Sequence, residues 1–153
     1  MLVSAPSTVI GFDQVVRQAD EGRLQAVYVT AGYPPRSVSW ILPDQVSALK
    51  KASVLIVQDL LPSPLSEVAK YVIPSASFAE KDGLFVNHAG LAQAIKRAVR
   101  PPGEIRTDGQ VFLDLMERRG LMHAETIRGE LAKEVGFFAK LGSGKVPELG
   151  VML

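Results

Sequence analysis

Gln58 and Asp59 follow an uninterrupted apolar run, Val54 to Val57, and stand where such a run would end. An amide beside a carboxylate offers hydrogen-bond donors and acceptors to a ligand. In open α/β sheets, ligands bind beyond the carboxyl ends of the strands, at a topological switch point. A polar strand end that caps the following turn explains the pair equally well, and both readings stay open. Glu80 and Asp82, in "EKDG", could be paired carboxylates for acid–base work. Their place directly before Gly83 favours turn residues that bind backbone. His88 and His123 are the only histidines, and neither has a His, Cys or carboxylate at ligand spacing, which argues against a metal site. They are expected to be ordinary turn and helix-end histidines. Ser75 and Ser77 lie in no G-x-S-x-G elbow, so nucleophilic catalysis has no support. "LGSGK" has the wrong spacing and setting for a phosphate loop. Catalytic residues are therefore expected to be absent.

Composition narrows the chemistry further. The chain has 153 residues and no cysteine, so it supplies no disulfide, no thiolate ligand to zinc or an iron–sulfur cluster, and no Cys nucleophile. Any redox centre must sit on another chain. Seventeen Lys and Arg against sixteen Asp and Glu leave a net charge of +1 without a block of one sign, which suggests neither a nucleic-acid nor a membrane-surface partner. "MLVSAPSTVIGFDQVV" lacks a basic region followed by an apolar core, and no apolar run approaches the roughly 18–20 residues of a spanning helix. A soluble, cytoplasmic protein of one domain's length is expected. A hydrophobic content of 47% mildly favours a buried partner surface.

The elements that must position these residues follow from periodicity. Phe12, Val15, Val16 and Ala19 recur at helical spacing and Gly22 closes that helix. "LQAVYVTAG" predicts a buried strand ending near Gly32. "YPPRSVSWILP" is a loop stiffened by Pro34 and Pro35, and Asp44 to Lys51 fits one or two helical turns. A second strand covers Val54 to Val57, a short helical turn starts near Ser63 with Pro64 at its first position, and a third strand ends at Pro74. Strand, helix and strand joined by short links predict a parallel sheet covered by helices. Beyond it, Leu84 to Asn87 and Leu91 to Ile95 alternate around "NHAG", in which Gly90 can take positive φ, so a β-hairpin is expected. "RPPGEIR" is a linker, Gly109 to Arg119 and Glu125 to Glu134 carry helical spacing, and "LGSGKVPELGVML" reads as a Gly-rich tail over another surface.

"VLIVQDLLPSPLSEVAKYVIPSASFAEKDGLFVNHAGLAQ" resembles the signature of the molybdopterin oxidoreductase superfamily. There a strand ending Q-D leads through T-E-T-A to A-D-V-V-L-P, an E-K-x-G-T corner and N-x-E-G-R-x-Q. "QAVYVTAGYPP" and "AVRPPGEIRTDGQVFLDLMERRG" are similar to its flanking segments, so the likeness runs from about Phe12 to Gly120. Kept are Gln58, Asp59, Glu67, Ala69, Pro74, Glu80, Gly83, Asn87, Gly90 and Gln93. Lys70, Leu84, Ala89 and Leu91 stand where the family has Asp, Thr, Glu and Arg, which removes donors a pyrophosphate would need.

Taken with those losses, the chain resembles the carboxyl-terminal part of the large subunit of NADH-quinone oxidoreductase, respiratory complex I. That likeness implies a structural, cofactor-free module of a hetero-oligomer, docked on iron–sulfur and other peripheral-arm subunits and held at the inner membrane through them. The alternative it implies is the molybdopterin guanine dinucleotide-binding part of a molybdenum oxidoreductase such as a formate dehydrogenase, in which Gln58, Asp59, Asn87 and Gln93 touch the cofactor. The expected fold is α/β: a partial parallel, Rossmann-like sheet flanked by helices, with an appended β-hairpin and a helical C-terminal tail. Residues 1–100 would form the α/β domain with its hairpin, and 101–153 the linker, helices and tail.

Overall fold

The computed structural model describes residues 10–31, 40–142 and 144–153. The first nine residues, the Pro34–Pro35 loop and Ser143 of the tail lie outside them. The chain is mixed α/β, and its described residues fall into two compact units, one within 10–75 and one within 76–153. No helix among the described residues is long and apolar enough to cross a membrane.

The first unit runs α1 (Phe12–Asp20), β1 (Ala26–Thr30), α2 (Pro43–Leu49), β2 (Val54–Asp59), α3 (Pro64–Val68) and β3 (Tyr71–Pro74). The strands form one parallel sheet in the order β1-β2-β3, with Thr30 opposite Gln58 and Asp59 opposite Pro74. Val27 and Val29 of β1 alternate with Leu55 and Val57 of β2 onto one face. There they meet Ala19 of α1, Val46 and Leu49 of α2 and Leu65 of α3 in a single core. Beginning at Pro64 lets α3 use a residue whose missing N–H is an orphan in any first turn. Ser63 caps that turn: its Oγ accepts from Ser66 N at 3.2 Å, and its own N–H donates to Ser66 Oγ at 2.9 Å. The strand order does not reverse among the described strands, so no switch point lies beside Gln58 and Asp59 there. The switch-point argument for a ligand beside them therefore does not apply to the described strands.

The second unit opens with a 3-10 turn (Phe78–Glu80) and continues through β4 (Gly83–Val86), β5 (Leu91–Ile95), α4 (Asp108–Leu115), α5 (Ala124–Glu134), a second 3-10 segment (Gly136–Leu141) and β6 (Val151–Met152). The hairpin and Gly90, at φ +84, are as expected. The tail does not merely lie over a surface: Val151 and Met152 pair antiparallel with Ala92 and Leu91 and extend the sheet to β4-β5-β6. Leu84, Ala92 and Val151 then share one face and pack with Ala132, Phe138 and Leu141.

Helix α4 stops at Leu115, short of the Arg119 that periodicity suggests. Glu117 turns to φ +55, and Arg118 N–H donates to Leu113 O at 2.9 Å, closing the helix. Gln110 holds the following loop, donating from Nε2 to Gly120 O at 3.2 Å and accepting from Met122 N at 2.8 Å.

Arg118 is thereby placed to form a two-pronged bridge to Glu130 of α5, with contacts of 2.8 and 2.7 Å. The guanidinium hydrogen bonds hold the Glu130 carboxyl below its ordinary range. A carboxyl depressed by folding contributes stability that is present above its unfolded pKa and lost as pH falls through the folded one. The α4–α5 pair should therefore lose melting temperature on titration from about pH 6 to about pH 3. Arg118→Met should flatten that limb; an acid limb equally steep in the variant would assign it to other carboxyls.

Candidate ligand site at the carboxyl edge of the parallel sheet

Both polar residues at the end of β2 are buried, Gln58 at 1% and Asp59 at 6% exposure. Strand pairing accounts for their backbone: Gln58 O accepts from Ala31 N and Asp59 O from Ser75 N, each at 2.9 Å. The Gln58 side chain is held by Tyr28, whose hydroxyl donates to Oε1 at 2.5 Å. Tyr28 and Gln58 therefore orient one another across neighbouring strands on the sheet face away from the Val27–Leu55 core. Sequence reading missed Tyr28; period-2 alternation places it on the Gln58 face but says nothing of a bond between them.

Asp59 has a divided role. Its Oδ1 accepts from Leu60 N at 2.8 Å and Leu61 N at 3.5 Å, which is the turn-capping alternative raised for it. Its Oδ2 is buried and has no hydrogen-bond partner. A buried carboxylate oxygen without a donor costs roughly 1–3 kcal/mol or more. The capping role explains one oxygen and leaves the other, among the described residues, without a donor.

A second unpartnered group belongs to the same unit. The indole Nε1 of Trp40 is buried without an acceptor among the described residues, while its side chain packs against the core of the first unit. Trp40 comes two residues before Leu42, the N-cap of α2. A helix that links parallel strands starts where the preceding strand ends, so Trp40 and Asp59 lie at the same carboxyl edge. No spacing rule singles out Trp40, although it is the one tryptophan in the chain.

Asn87 and Gln93 belong to the other unit. Asn87 Oδ1 accepts from Ala89 N at 2.9 Å and Leu91 N at 3.0 Å, so that oxygen builds the hairpin turn. Gln93 pairs with Phe85 and is exposed on the sheet face opposite Leu84 and Ala92. The charged corner is structural in all three of its side chains. Glu80 accepts from Ser77 N at 2.7 Å, Asp82 from Arg97 N at 3.1 Å, and Lys81 forms an ion pair with Asp108 at the start of α4. The turn reading of Glu80 and Asp82 thus holds, and neither is poised for acid–base chemistry. His88 lies exposed in the hairpin turn and His123 at the N-terminal flank of α5. Among the described residues, no three of His, Cys, Asp and Glu converge on a metal position.

The four departures also acquire places. Leu84 packs into the hairpin core, Leu91 sits beside β6, Ala89 is exposed at the turn, and Lys70 Nζ lies 6.0 Å from the Tyr71 ring centre. Two of the replacements thus coincide with packing that the third strand and the helices provide.

The sequence profile of the molybdopterin oxidoreductases matches residues 8–118. A nitrate reductase of Symbiobacterium thermophilum is 30% identical over 133 residues, covering 86% of this chain and 17% of that protein. The F420-dependent formate dehydrogenase 1 subunit alpha of Methanococcus maripaludis is 41% identical over 88 residues, 58% of this chain and 13% of that one. The NADPH-Fe(3+) oxidoreductase subunit alpha of Geobacter sulfurreducens is 30% identical over 136 residues, 84% of this chain and 16% of that one. The chain thus spans less than a fifth of the length of each. With a parallel α/β core ending in Gln58-Asp59 and a profile match over most of its length, the chain belongs to the molybdopterin oxidoreductase family.

Proposed function

We propose that this chain is the part of a molybdenum oxidoreductase that holds the guanine nucleotide half of a molybdopterin guanine dinucleotide. The observation that carries this reading is the unpartnered, buried Oδ2 of Asp59 at the end of β2. Guanine presents an N–H and an exocyclic amino group side by side, which matches a carboxylate acceptor. The cofactor would bring the redox chemistry of molybdenum; the chain's residues would bind and orient its nucleotide end. Gln58, fixed by Tyr28, offers an amide at the same edge. The relatives named as formate dehydrogenase, nitrate reductase and NADPH-Fe(3+) oxidoreductase support a place in an electron-transferring enzyme. Two of them are named as alpha subunits, which supports a hetero-oligomer. Since these residues include no cysteine, iron–sulfur clusters would lie elsewhere in the assembly.

A second reading, the cofactor-free module of a complex-I-like NADH-quinone oxidoreductase, is favoured by one observation. Leu84 and Leu91, which replace Thr and Arg of the resemblance, are used in packing and strand pairing.

Titration calorimetry of the chain with GMP separates the two. Asp59→Asn keeps an oxygen for Leu60 N and replaces the acceptor Oδ2 with a donor. It should weaken GMP by roughly 10–100-fold. The free variant should melt no lower than the parent, since it loses no bond that the free chain makes. A folded chain without saturable GMP binding would support the cofactor-free module instead.

A further inference from the structure

Among the described residues, the first unit holds two buried polar groups of opposite kind: an acceptor without a donor, Asp59 Oδ2 on the last residue of β2, and a donor without an acceptor, Trp40 Nε1 just before α2. Each alone would be a cost of folding; together they match the two poles of one ligand edge. We infer that Trp40 is a specificity-determining residue of the nucleotide site, its indole N–H donating to the ring carbonyl of a base whose N–H groups face Asp59. This rests on the nucleotide-binding reading of Asp59 and assigns the second half of the recognition.

The ligand chemistry follows from the two polarities. The edge must carry a carbonyl oxygen next to a ring N–H, as the amino-oxo edge of guanine and of a pterin both do. Adenine reverses both poles, with an acceptor nitrogen where guanine has N–H and an amino group where guanine has the carbonyl. It would set an acceptor against Asp59 and a donor against Trp40, leaving both protein groups unsatisfied. A site that hydrogen-bonds its ligand rejects an analogue lacking the matching group far more strongly than an apolar pocket does. Rigidity favours the role as well. Trp40 packs on the core, and Asp59 is held through its other oxygen by the Leu60 and Leu61 amides. Neither group can turn easily to find another partner.

The test uses the whole chain, in which Trp40 is the only tryptophan and so reports on its own surroundings. Emission and calorimetry are recorded with GMP, AMP, 6-thio-GMP and 6-hydroxymethylpterin. GMP should change the emission and AMP should not. 6-Thio-GMP, which keeps the N–H groups but replaces the carbonyl oxygen with a poorer acceptor, should bind several-fold more weakly than GMP. Trp40→Phe keeps a ring in the core and removes the N–H. By calorimetry it should weaken GMP by about fivefold to tenfold and abolish the discrimination against 6-thio-GMP. Tight binding of the pterin in place of GMP would keep the proposed edge and move its source to the other half of the cofactor.

Equal GMP affinity in parent and Trp40→Phe, with the 6-thio penalty intact, would overturn the role of Trp40. If Asp59→Asn still weakened GMP, the nucleotide site would stand without it. Equal binding of AMP and GMP by the parent would likewise overturn base reading. Failure of every nucleotide and of the pterin to bind would remove both proposals and leave the two groups to an internal water. The parent's comparison of GMP with 6-thio-GMP decides the matter should Trp40→Phe not fold.

Discussion

Leu65→Ala is expected to lower the stability of the first unit by about 2–5 kcal/mol, measured by urea unfolding. Leu65 is fully buried, at 0% exposure, and packs into the core with Leu49, Leu55 and Val57. It is also the one buried residue of α3, a helix of five residues. So short a helix is not stable by itself and relies on packing. Truncation removes the transfer energy of the lost carbons and leaves a cavity whose walls are strands and helices with little room to collapse. Domains of ordinary size hold only about 5–15 kcal/mol in total, so the loss is a large share. It also reaches the candidate site, because α3 follows directly on the turn in which Leu60 and Leu61 donate to Asp59. GMP binding should therefore fall together with stability. Leu65→Met, nearly equal in volume, should cost under about 1.5 kcal/mol and retain binding. A cost below about 1 kcal/mol for Leu65→Ala would show that α3 does not depend on this anchor.

Gly150→Val should release the third strand of the hairpin sheet. Gly150 adopts φ +92, and a Cβ there would meet Ala92 O at 2.7 Å, Gln93 Cγ at 2.9 Å and Leu91 Cδ1 at 3.0 Å. The Gln93 side chain can move aside, but the Ala92 carbonyl belongs to β5 and cannot. A β-branched residue is also strained at positive φ, so the combined cost is about 2–4 kcal/mol. The strand has little to resist this with: β6 is two residues long, and its neighbour Leu153 donates to Gly90 O at 3.1 Å. Val151 and Leu153 would then leave the hairpin core. Hydrogen exchange is the direct measurement. The Leu153 amide should be protected in the parent and exchange freely in the variant, and protection retained in Gly150→Val would mean that β6 tolerates the added side chain.

Much of this architecture could be read from local pattern. The strands of the parallel sheet were visible as short apolar runs, although only β2 is mostly buried and β3 leaves Tyr71 and Val72 about half exposed, and α3 was visible because Pro64 after Ser63 suits a first helical turn. Asn87 and Gly90 marked the hairpin, since few other residues adopt its turn. The family was legible for a related reason: its signature is mostly turn and strand-end residues, and Pro74, Glu80, Asn87 and Gly90 serve those roles here. The candidate site was legible only in part. Gln58 and Asp59 stood out as polar residues ending an apolar run.

Local pattern by itself determined the element types, the parallel sheet with its hairpin, and the positions at which a turn or strand end demands one residue type. Those depend on neighbours a few residues apart. Tertiary structure alone decided that Val151 and Met152 become a strand, because pairing between segments so distant in sequence depends on which edge of β5 is open. It alone decided that Asp59 leaves one oxygen unpaired, that Tyr28 takes Gln58, and that Trp40 has no acceptor. Whether a polar atom is satisfied depends on everything packed around it, and no sequence spacing encodes that.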